Sequence, residues 1–203
     1  MLLKNILFFI SGFAFCQAPV KEFYTNGRLK AEGFLVNGKK EKLWKFYYTD
    51  GILNAEVAYK HDIPDSVAKY YNLQGKLQTT ETWAEGNLNG LYQVYFPNGQ
   101  LMSEGNFKNG LQQGEWKSFY EDGKLSKSGD YDRSLKQGLW KIYNEEGILI
   151  EESTLVKDVL EGPARFYQEN GLIKFEGNYE NGEMRGLWKT YNKKGKLVKT
   201  KTY

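Results

Sequence analysis

The stretch YENGEMRGLWKTYNKKGKL, residues 179–197, decides the fold of this chain. It contains an Asn-Gly pair at 181–182 and a second turn signal that ends in Gly195, with the pattern Gly-x-Trp-Lys-x-Tyr between them. Glycine at the end of such signals suits β-hairpin turns, because these turns need a residue with positive φ. The stretch therefore predicts a β-strand held between two tight turns.

The same order of residues recurs along the chain with a constant period of 24 residues. The turn glycines that mark this period are Gly27, Gly51, Gly75, Gly99, Gly123, Gly147, Gly171 and Gly195. Leu or Ile follows each of them after two positions, and Tyr or Phe follows the first seven after twenty positions. A period without insertions indicates tandem repeats in which each unit contacts only its neighbours.

Each unit contains two runs in which apolar and polar residues alternate. Alternation with period two is typical of strands with one face toward a core, and the runs have the usual strand length of about seven residues. We therefore expect an all-β protein of tandem antiparallel β-hairpin repeats, with seven full units and a partial eighth. About fifteen strands would form one elongated sheet, which we expect to be twisted or curled. The second turn of each unit, with a Gly four residues after Asn-Gly, is expected to be a slightly longer loop.

The units YENGEMRGLW and FKNGLQQGEW resemble the MORN repeat, in the bacterial variant that adds a WKxYxxDGxL half. The resemblance covers residues 23–203. It implies tandem β-hairpins in a curved single-layer sheet and a scaffold that binds proteins or lipids, and some bacterial members carry an antitoxin-like label. The chain lacks the His-Gly pair of the commonest MORN form, so the lipid role proposed for that form carries over poorly.

The first 18 residues have the layout of a secretory signal peptide. Lys4 precedes an apolar run at residues 6–15, and small residues follow it. Ten apolar residues are too few to span a bilayer as a helix. We expect cleavage after Cys16 or after Ala18, and hence a repeat domain at 19–203 in the periplasm, at the cell surface or outside the cell. Acylation of Cys16 in a lipoprotein, or a buried first strand, are the alternatives.

Charge and composition exclude several function classes. The 28 basic and 25 acidic residues are interspersed, so no patch of one sign is expected to bind nucleic acid. The single histidine, His61, lies at a turn position, and no motif for catalysis, metal binding or a cofactor is present. We therefore expect no enzymatic activity, no cofactor and no metal site. The glutamates five residues after the turn glycines are interpreted as cross-strand partners of Lys45, Lys117, Lys141 and Lys189.

An aromatic row supplies the candidate binding residues. Seventeen positions after five of the turn glycines stand Trp44, Tyr92, Trp116, Trp140 and Trp188. These rings could form the core of a thin sheet, or they could bind a partner's side chains or a glycan. We expect a scaffold for protein–protein or surface interactions with an unidentified protein partner. The alternatives are an antitoxin-like or immunity-like binder, or a module for glycan or membrane surfaces.

Overall fold

The computed structural model describes residues 18–203, which form one antiparallel sheet of sixteen strands. The predicted signal peptide lies outside the described residues, except for Ala18. The strands are β1 (Val20–Phe23), β2 (Leu29–Val36), β3 (Lys39–Tyr47), β4 (Leu53–Lys60), β5 (Ile63–Tyr71), β6 (Leu77–Ala84), β7 (Asn87–Tyr95), β8 (Leu101–Lys108), β9 (Leu111–Phe119), β10 (Leu125–Asp132), β11 (Leu135–Tyr143), β12 (Leu149–Val156), β13 (Val159–Tyr167), β14 (Ile173–Glu180), β15 (Glu183–Tyr191) and β16 (Leu197–Thr202).

The sheet is an open meander, since the strand order from β1 to β16 is the order of the sequence. This confirms the predicted all-β fold of tandem hairpins. The strand count is one higher than expected, because Val20–Phe23 pairs with β2 as a short additional strand. The described part of the chain contains no helix with the length and hydropathy needed to cross a membrane.

The turns marked by the eight periodic glycines share one geometry. At Gly99, the glycine N–H donates to the carbonyl of Phe96 (2.8 Å), and the N–H of Phe96 donates to the carbonyl of Gln100 (2.8 Å). The same pair of hydrogen bonds occurs at all eight glycines, whose φ values lie between 73° and 92°. This is a type I turn closed by a glycine bulge, which also suits Pro97 because its fixed φ fits the first central position.

The other turn of each unit differs from the predicted longer loop. At Asn109-Gly110 both residues have positive φ, 52° and 77°, and β8 and β9 pair from Lys108 and Leu111 onward. This is a two-residue type I′ turn, whose twist matches that of the strands. Pairs without glycine also adopt it, including His61-Asp62 with φ of 55° and 69°. The prediction was wrong because it assigned to the loop a later glycine that belongs to the strand.

That later glycine forms a β-bulge inside the second strand of the unit. Gly114 and Gly138 have φ of 72° and 71°, although each lies within a strand. Opposite Gly138 the register passes from Ser128↔Lys141 to Asp130↔Gln137, so β11 contains two more residues than β10 over this interval. Such a bulge bends the strand and increases its local twist. The bulge recurs in every unit. Where a tryptophan follows the bulge, its ring is turned onto the preceding strand.

The buried residues lie on one face of the sheet, which we call the aromatic face because it carries Trp44, Trp116, Trp140 and Trp188. Trp44 is fully buried, and Trp140 and Trp188 are each 4% exposed. Each of the four rings lies directly over a glycine of the preceding strand, where a Cβ atom would overlap the ring. These glycines are Gly33, Gly105, Gly129 and Gly177. A single layer can bury a tryptophan in this way because the glycine leaves room for the ring against the backbone.

In two units alanine stands in place of the tryptophan, and a residue larger than glycine stands opposite it. In one of them Val57 lies opposite Ala68, and in the other Ser153 lies opposite Ala164. All four side chains are buried, with Ala68 only 1% exposed. A larger side chain on the first strand therefore fills the space that a tryptophan fills elsewhere, which keeps the packing dense.

Candidate interaction surfaces

The opposite face, which we call the polar face, carries a ladder of glutamate, lysine and tyrosine side chains. Lys45 lies directly opposite Glu56, and its Nζ is 3.5 Å from the Glu56 carboxylate. The predicted partners of the other three lysines also lie opposite them in register: Glu104 with Lys117, Glu152 with Lys141, and Glu176 with Lys189. Lys141 and Glu152 form an ion pair at 3.6 Å, whereas the Nζ of Lys117 lies 2.8 Å from Glu115 in its own strand. These ion pairs are partly exposed, so each contributes modestly to stability.

Tyrosine hydroxyls extend this ladder to the next strand. The hydroxyl of Tyr167 donates to the Glu152 carboxylate at 2.6 Å, and that of Tyr47 donates to Glu32 at 2.7 Å. Burial, and then the hydrogen bond to Glu152, raises the pKa of Tyr167 to about 12. The hydrogen bond from Tyr191 lowers the pKa of Glu176. The ladder therefore favours the ionised form of Glu176 and the neutral form of Tyr167.

A row of exposed aliphatic side chains crosses the polar face beside the ladder. Each member lies two residues before the ladder residue of its unit, which is a lysine or, after Leu91, Gln93, and therefore on the same face. We call this set the aliphatic row: Leu43, Val67, Leu91, Leu139 and Leu187, each between 44% and 50% exposed. Glu115 and Pro163 occupy the same position in the remaining two units. The residue before each member is the positive-φ residue of the bulge, so alternation in the sequence alone does not assign the row to a face.

The predicted binding residues on the aromatic face are not equally accessible. Trp44, Trp140 and Trp188 are buried, and their rings offer little surface to a ligand. Tyr92 and Trp116 are partly exposed and lie together, with ring centroids 6.1 Å apart. Phe107 packs between them edge-on, 5.3 Å from Tyr92 and 5.4 Å from Trp116. Among the predicted binding residues, the most accessible rings thus lie in the middle of the array.

The indole N–H groups distinguish the four tryptophans. Trp44, Trp116 and Trp188 donate to the backbone carbonyls of Phe34, Asn106 and Asn178 at 3.0, 3.3 and 3.2 Å. The indole nitrogen of Trp140 is buried and has no hydrogen-bond partner among the described residues. A buried donor without a partner costs about 1–3 kcal/mol. Trp140 is therefore the one member of the row whose packing carries this penalty.

The structure places His61 in a type I′ turn, as the sequence predicted. Its backbone N–H donates to the Glu41 carboxylate at 2.9 Å, and its Nδ1 lies 3.5 Å from the same carboxylate. Among residues 18–203, no group of three or more His, Cys, Asp or Glu side chains lies close enough together to hold a metal ion. A cleft of about 650 Å³ lies at the turn edge of the sheet beside Tyr167, Lys174 and Tyr191.

Two solved structures show a limited similarity to the chain. One is a GtfA/B complex bound to UDP and GlcNAc, with 10% sequence identity and a TM-score of 0.25 over 54% of this chain and 22% of that chain. The other is a TcdB2–TccC3–Cdc42 complex, with 11% identity and a TM-score of 0.19 over 92% of this chain and 14% of that chain. The chain thus spans less than a quarter of either protein, and TM-scores this low carry no information about function. No curated protein matches the chain in sequence.

The MORN repeat variant family matches the chain in five separate segments. They are residues 40–61, 88–109, 112–133, 136–157 and 160–181, which together make up just over half of the sequence. Each segment begins near the start of the second strand of one unit and ends in the type I′ turn of the next, so the matches follow the structural repeat. The chain belongs to the MORN repeat variant family.

Proposed function

We propose that this protein is an exported, non-enzymatic repeat scaffold that binds a partner protein through its polar face. The observation that carries this proposal is the aliphatic row. Its five side chains are between 44% and 50% exposed. Aligned apolar side chains on a water-exposed surface are a common mark of interaction sites.

The polar face combines this row with features that favour specific binding. Members of the row lie two strands apart, or four where Glu115 or Pro163 interrupts it, so neighbouring members are about 10 or about 20 Å apart along the sheet. Beside Leu139, the Lys141–Glu152 pair and the Tyr167 hydroxyl form a hydrogen-bonded network that holds the charged groups in fixed positions. An apolar strip flanked by ordered polar groups resembles the core and rim of protein–protein interfaces. A partner would therefore present apolar side chains along a strip and complementary charges beside it.

Export is supported by the first 18 residues of the sequence. A short apolar run after Lys4 and the small residues near Cys16 and Ala18 fit a cleaved secretory signal. Intact mass and N-terminal sequencing of the protein from fractionated native cells test this part of the proposal. A soluble exported chain that begins at residue 17 or 19 is expected. A cytosolic chain that retains Met1 would contradict export and favour the antitoxin-like alternative.

Binding through the polar face is tested by a double substitution in the aliphatic row, Leu91→Ser with Leu139→Ser. Wild-type protein is first cross-linked in native cells, and the partner that it captures is identified and purified. We then expect the double variant to bind that purified partner at least tenfold more weakly, since each buried leucine contributes about 1.5–3 kcal/mol. Affinity is measured by calorimetry.

The matched control changes two leucines that are equally exposed but lie beside the type I′ turns. Leu111 and Leu135 are 43% and 41% exposed, and they immediately follow these turns. Leu111→Ser with Leu135→Ser should leave affinity unchanged. Equal losses in both double variants would show that the aliphatic row has no special role, and unchanged binding in both would place the interface elsewhere.

A further inference from the structure

Two lysines of the aromatic face converge on one tryptophan. The Nζ atoms of Lys127 and Lys136 lie 5.2 and 5.1 Å from the centre of the Trp140 ring. Lys127 is in β10 and Lys136 is in β11, and the bulge in β11 brings Trp140 between them. Two ammonium groups around one ring repel each other, and a single ring face can compensate only part of that cost.

The positive charge of a third lysine, Lys40, is compensated by several aromatic rings. Lys40 occupies the position of Lys136 four units earlier, and its Nζ is 4.8 Å from the Trp44 ring centre. The same ammonium also lies 5.0 Å from the ring of Phe46 and 5.3 Å from that of Tyr59. Lys40 is thus surrounded by three aromatic rings and has no second lysine beside it, since Ala31 stands where Lys127 stands later.

Neither Lys127 nor Lys136 forms an ion pair within the described chain. No carboxylate lies within 4.0 Å of either ammonium among the ion pairs of residues 18–203. Burial and then the neighbouring ammonium of Lys136 lower the pKa of Lys127, while the more distant Glu151 acts in the opposite direction. The Glu151 carboxylate accepts a hydrogen bond from Ser153 at 3.0 Å, which holds it in place. Asp158 also lies nearby, and its carboxylate accepts a hydrogen bond from the backbone N–H of Lys136 at 2.9 Å. Both neighbouring carboxylates are thus held by other donors, and neither is paired with an ammonium group of the described chain.

We propose that Lys127 and Lys136 form a binding site for a carboxylate group of an acidic peptide segment, with Trp140 as its floor. Neither ammonium group has a carboxylate partner among residues 18–203, and the two oxygens of one ligand carboxylate can each accept a hydrogen bond from one ammonium. A phosphate dianion fits less well, because Glu151 lies nearby and the backbone N–H groups here are engaged in the ladder. The site lies on the face opposite the aliphatic row, so it stands independently of the proposed function.

The test uses hexaglutamate as the probe and the indole N–H resonances of the full chain as the readout. Titration into ¹⁵N-labelled protein should shift the Trp140 resonance saturably and leave that of Trp44 in place. Trp140→Phe assigns the signal. Lys127→Met and Lys136→Met keep the aliphatic stems, and each should weaken binding about tenfold, since a hydrogen bond to a charged group contributes about 1.5–3 kcal/mol.

Lys40→Met is the matched control, because it removes the same charge from the same face and also uncovers a tryptophan. Unchanged affinity in this variant supports the site. Equal weakening by Lys40→Met would overturn it, because binding would then follow net charge alone. The proposal also fails if hexaglutamine shifts Trp140 as hexaglutamate does, or if inorganic phosphate binds more tightly than the peptide. Circular dichroism of each lysine variant establishes that the sheet is intact.

Discussion

At the scale of single residues, the sheet is stabilised by complementary sizes of two facing residues on the aromatic face. One lies on the first strand of each hairpin with a type I′ turn, and the other lies on the second strand of that hairpin. Trp44, Trp116, Trp140 and Trp188 face glycine, whereas Ala68 faces Val57 and Ala164 faces Ser153. Tyr92 faces Glu81, whose carboxylate accepts a hydrogen bond from the indole of Trp83 at 3.0 Å. The size of one partner therefore determines what the other can be.

A double-mutant cycle tests this complementarity at Gly129 and Trp140. Gly129→Val should destabilise the protein by about 1–3 kcal/mol or more through overlap with the Trp140 ring. Trp140→Ala should cost about 3–5 kcal/mol through the cavity that it leaves. The double variant reproduces the Val57–Ala68 pair, so its loss should be smaller than the sum by about 0.5–3 kcal/mol. Urea unfolding measures all three, and additive losses would contradict the size rule.

The periodic glycines are required for a different reason. At Gly123 φ is 85°, and the nearest atom to an added Cβ would be Gln100 Oε1 at 3.7 Å, so space is not limiting there. Gly123→Val should still destabilise the protein by about 1–3 kcal/mol, because a β-branched residue is strained at positive φ. Gly123→Asn should cost less, since Asn adopts this region more readily. Equal thermal stability of the valine variant and the wild type would refute the turn assignment.

At the scale of the hairpin, the sequence predicted what depends on local chemistry. Alternation gave the strands, the turn glycines gave the type I turns, and the spacing of Glu152 from Lys141 anticipated their pairing. The bulge was missed because Gly114 and Gly138 look like turn residues, and only the register shows that they lie inside strands. The convergence of Lys127 and Lys136 depends on that bulge, so alternation alone does not reveal it.

The tyrosine–glutamate bonds between strands predict how stability responds to alkaline pH. Burial, followed by hydrogen bonds to Glu32, Glu56 and Glu152, raises the pKa of Tyr47, Tyr71 and Tyr167 to about 12. The unfolded chain releases these protons near the ordinary value of about 10. Because the folded-state pKa is raised, the stabilisation is complete below pH ~10 and is lost as the pH rises toward ~12. Urea unfolding across this interval should show the decline.

One substitution assigns part of this effect to a single carboxylate. Glu152→Gln removes the charge that accepts the Tyr167 hydrogen bond, so the pKa of Tyr167 should fall only part of the way, because burial is its largest cause. Ultraviolet absorbance near the phenolate band follows the titration. Glu151→Gln changes a neighbouring carboxylate on the opposite face and should leave Tyr167 unaffected. A titration of Tyr167 that is the same in Glu152→Gln and the wild type would exclude the assigned bond.

At the scale of the whole molecule, the constant period makes the units interchangeable. Removing residues 100–123 joins Gly99 to Lys124 and places Tyr92 opposite Gly129 instead of Gly105, so a glycine remains at the facing position. The shortened chain should fold, with a denaturant m-value lower by about one eighth because two of sixteen strands are absent. Circular dichroism and urea unfolding measure both quantities.

The control for this deletion removes residues 100–111, which is half of one unit. That change joins Gly99 to Gln112, so Lys117 takes the position of Gly105 opposite Tyr92 and Trp116 takes the position of Glu104 on the polar face. It should reduce cooperativity sharply or prevent folding. Equal folding of the two shortened chains would contradict the view that the 24-residue frame specifies the sheet.

The open meander has a mechanical consequence. Each strand pairs only with its neighbours in sequence. Tension applied at the two ends therefore pulls neighbouring strands apart instead of sliding them past each other. Hydrogen bonds pulled in that direction break one after another instead of together. The molecule should therefore yield at low force, releasing about 80 Å of chain for each 24-residue unit that unzips. Its length would increase in equal steps under tension, and it would shorten again by one hairpin at a time when the tension is released.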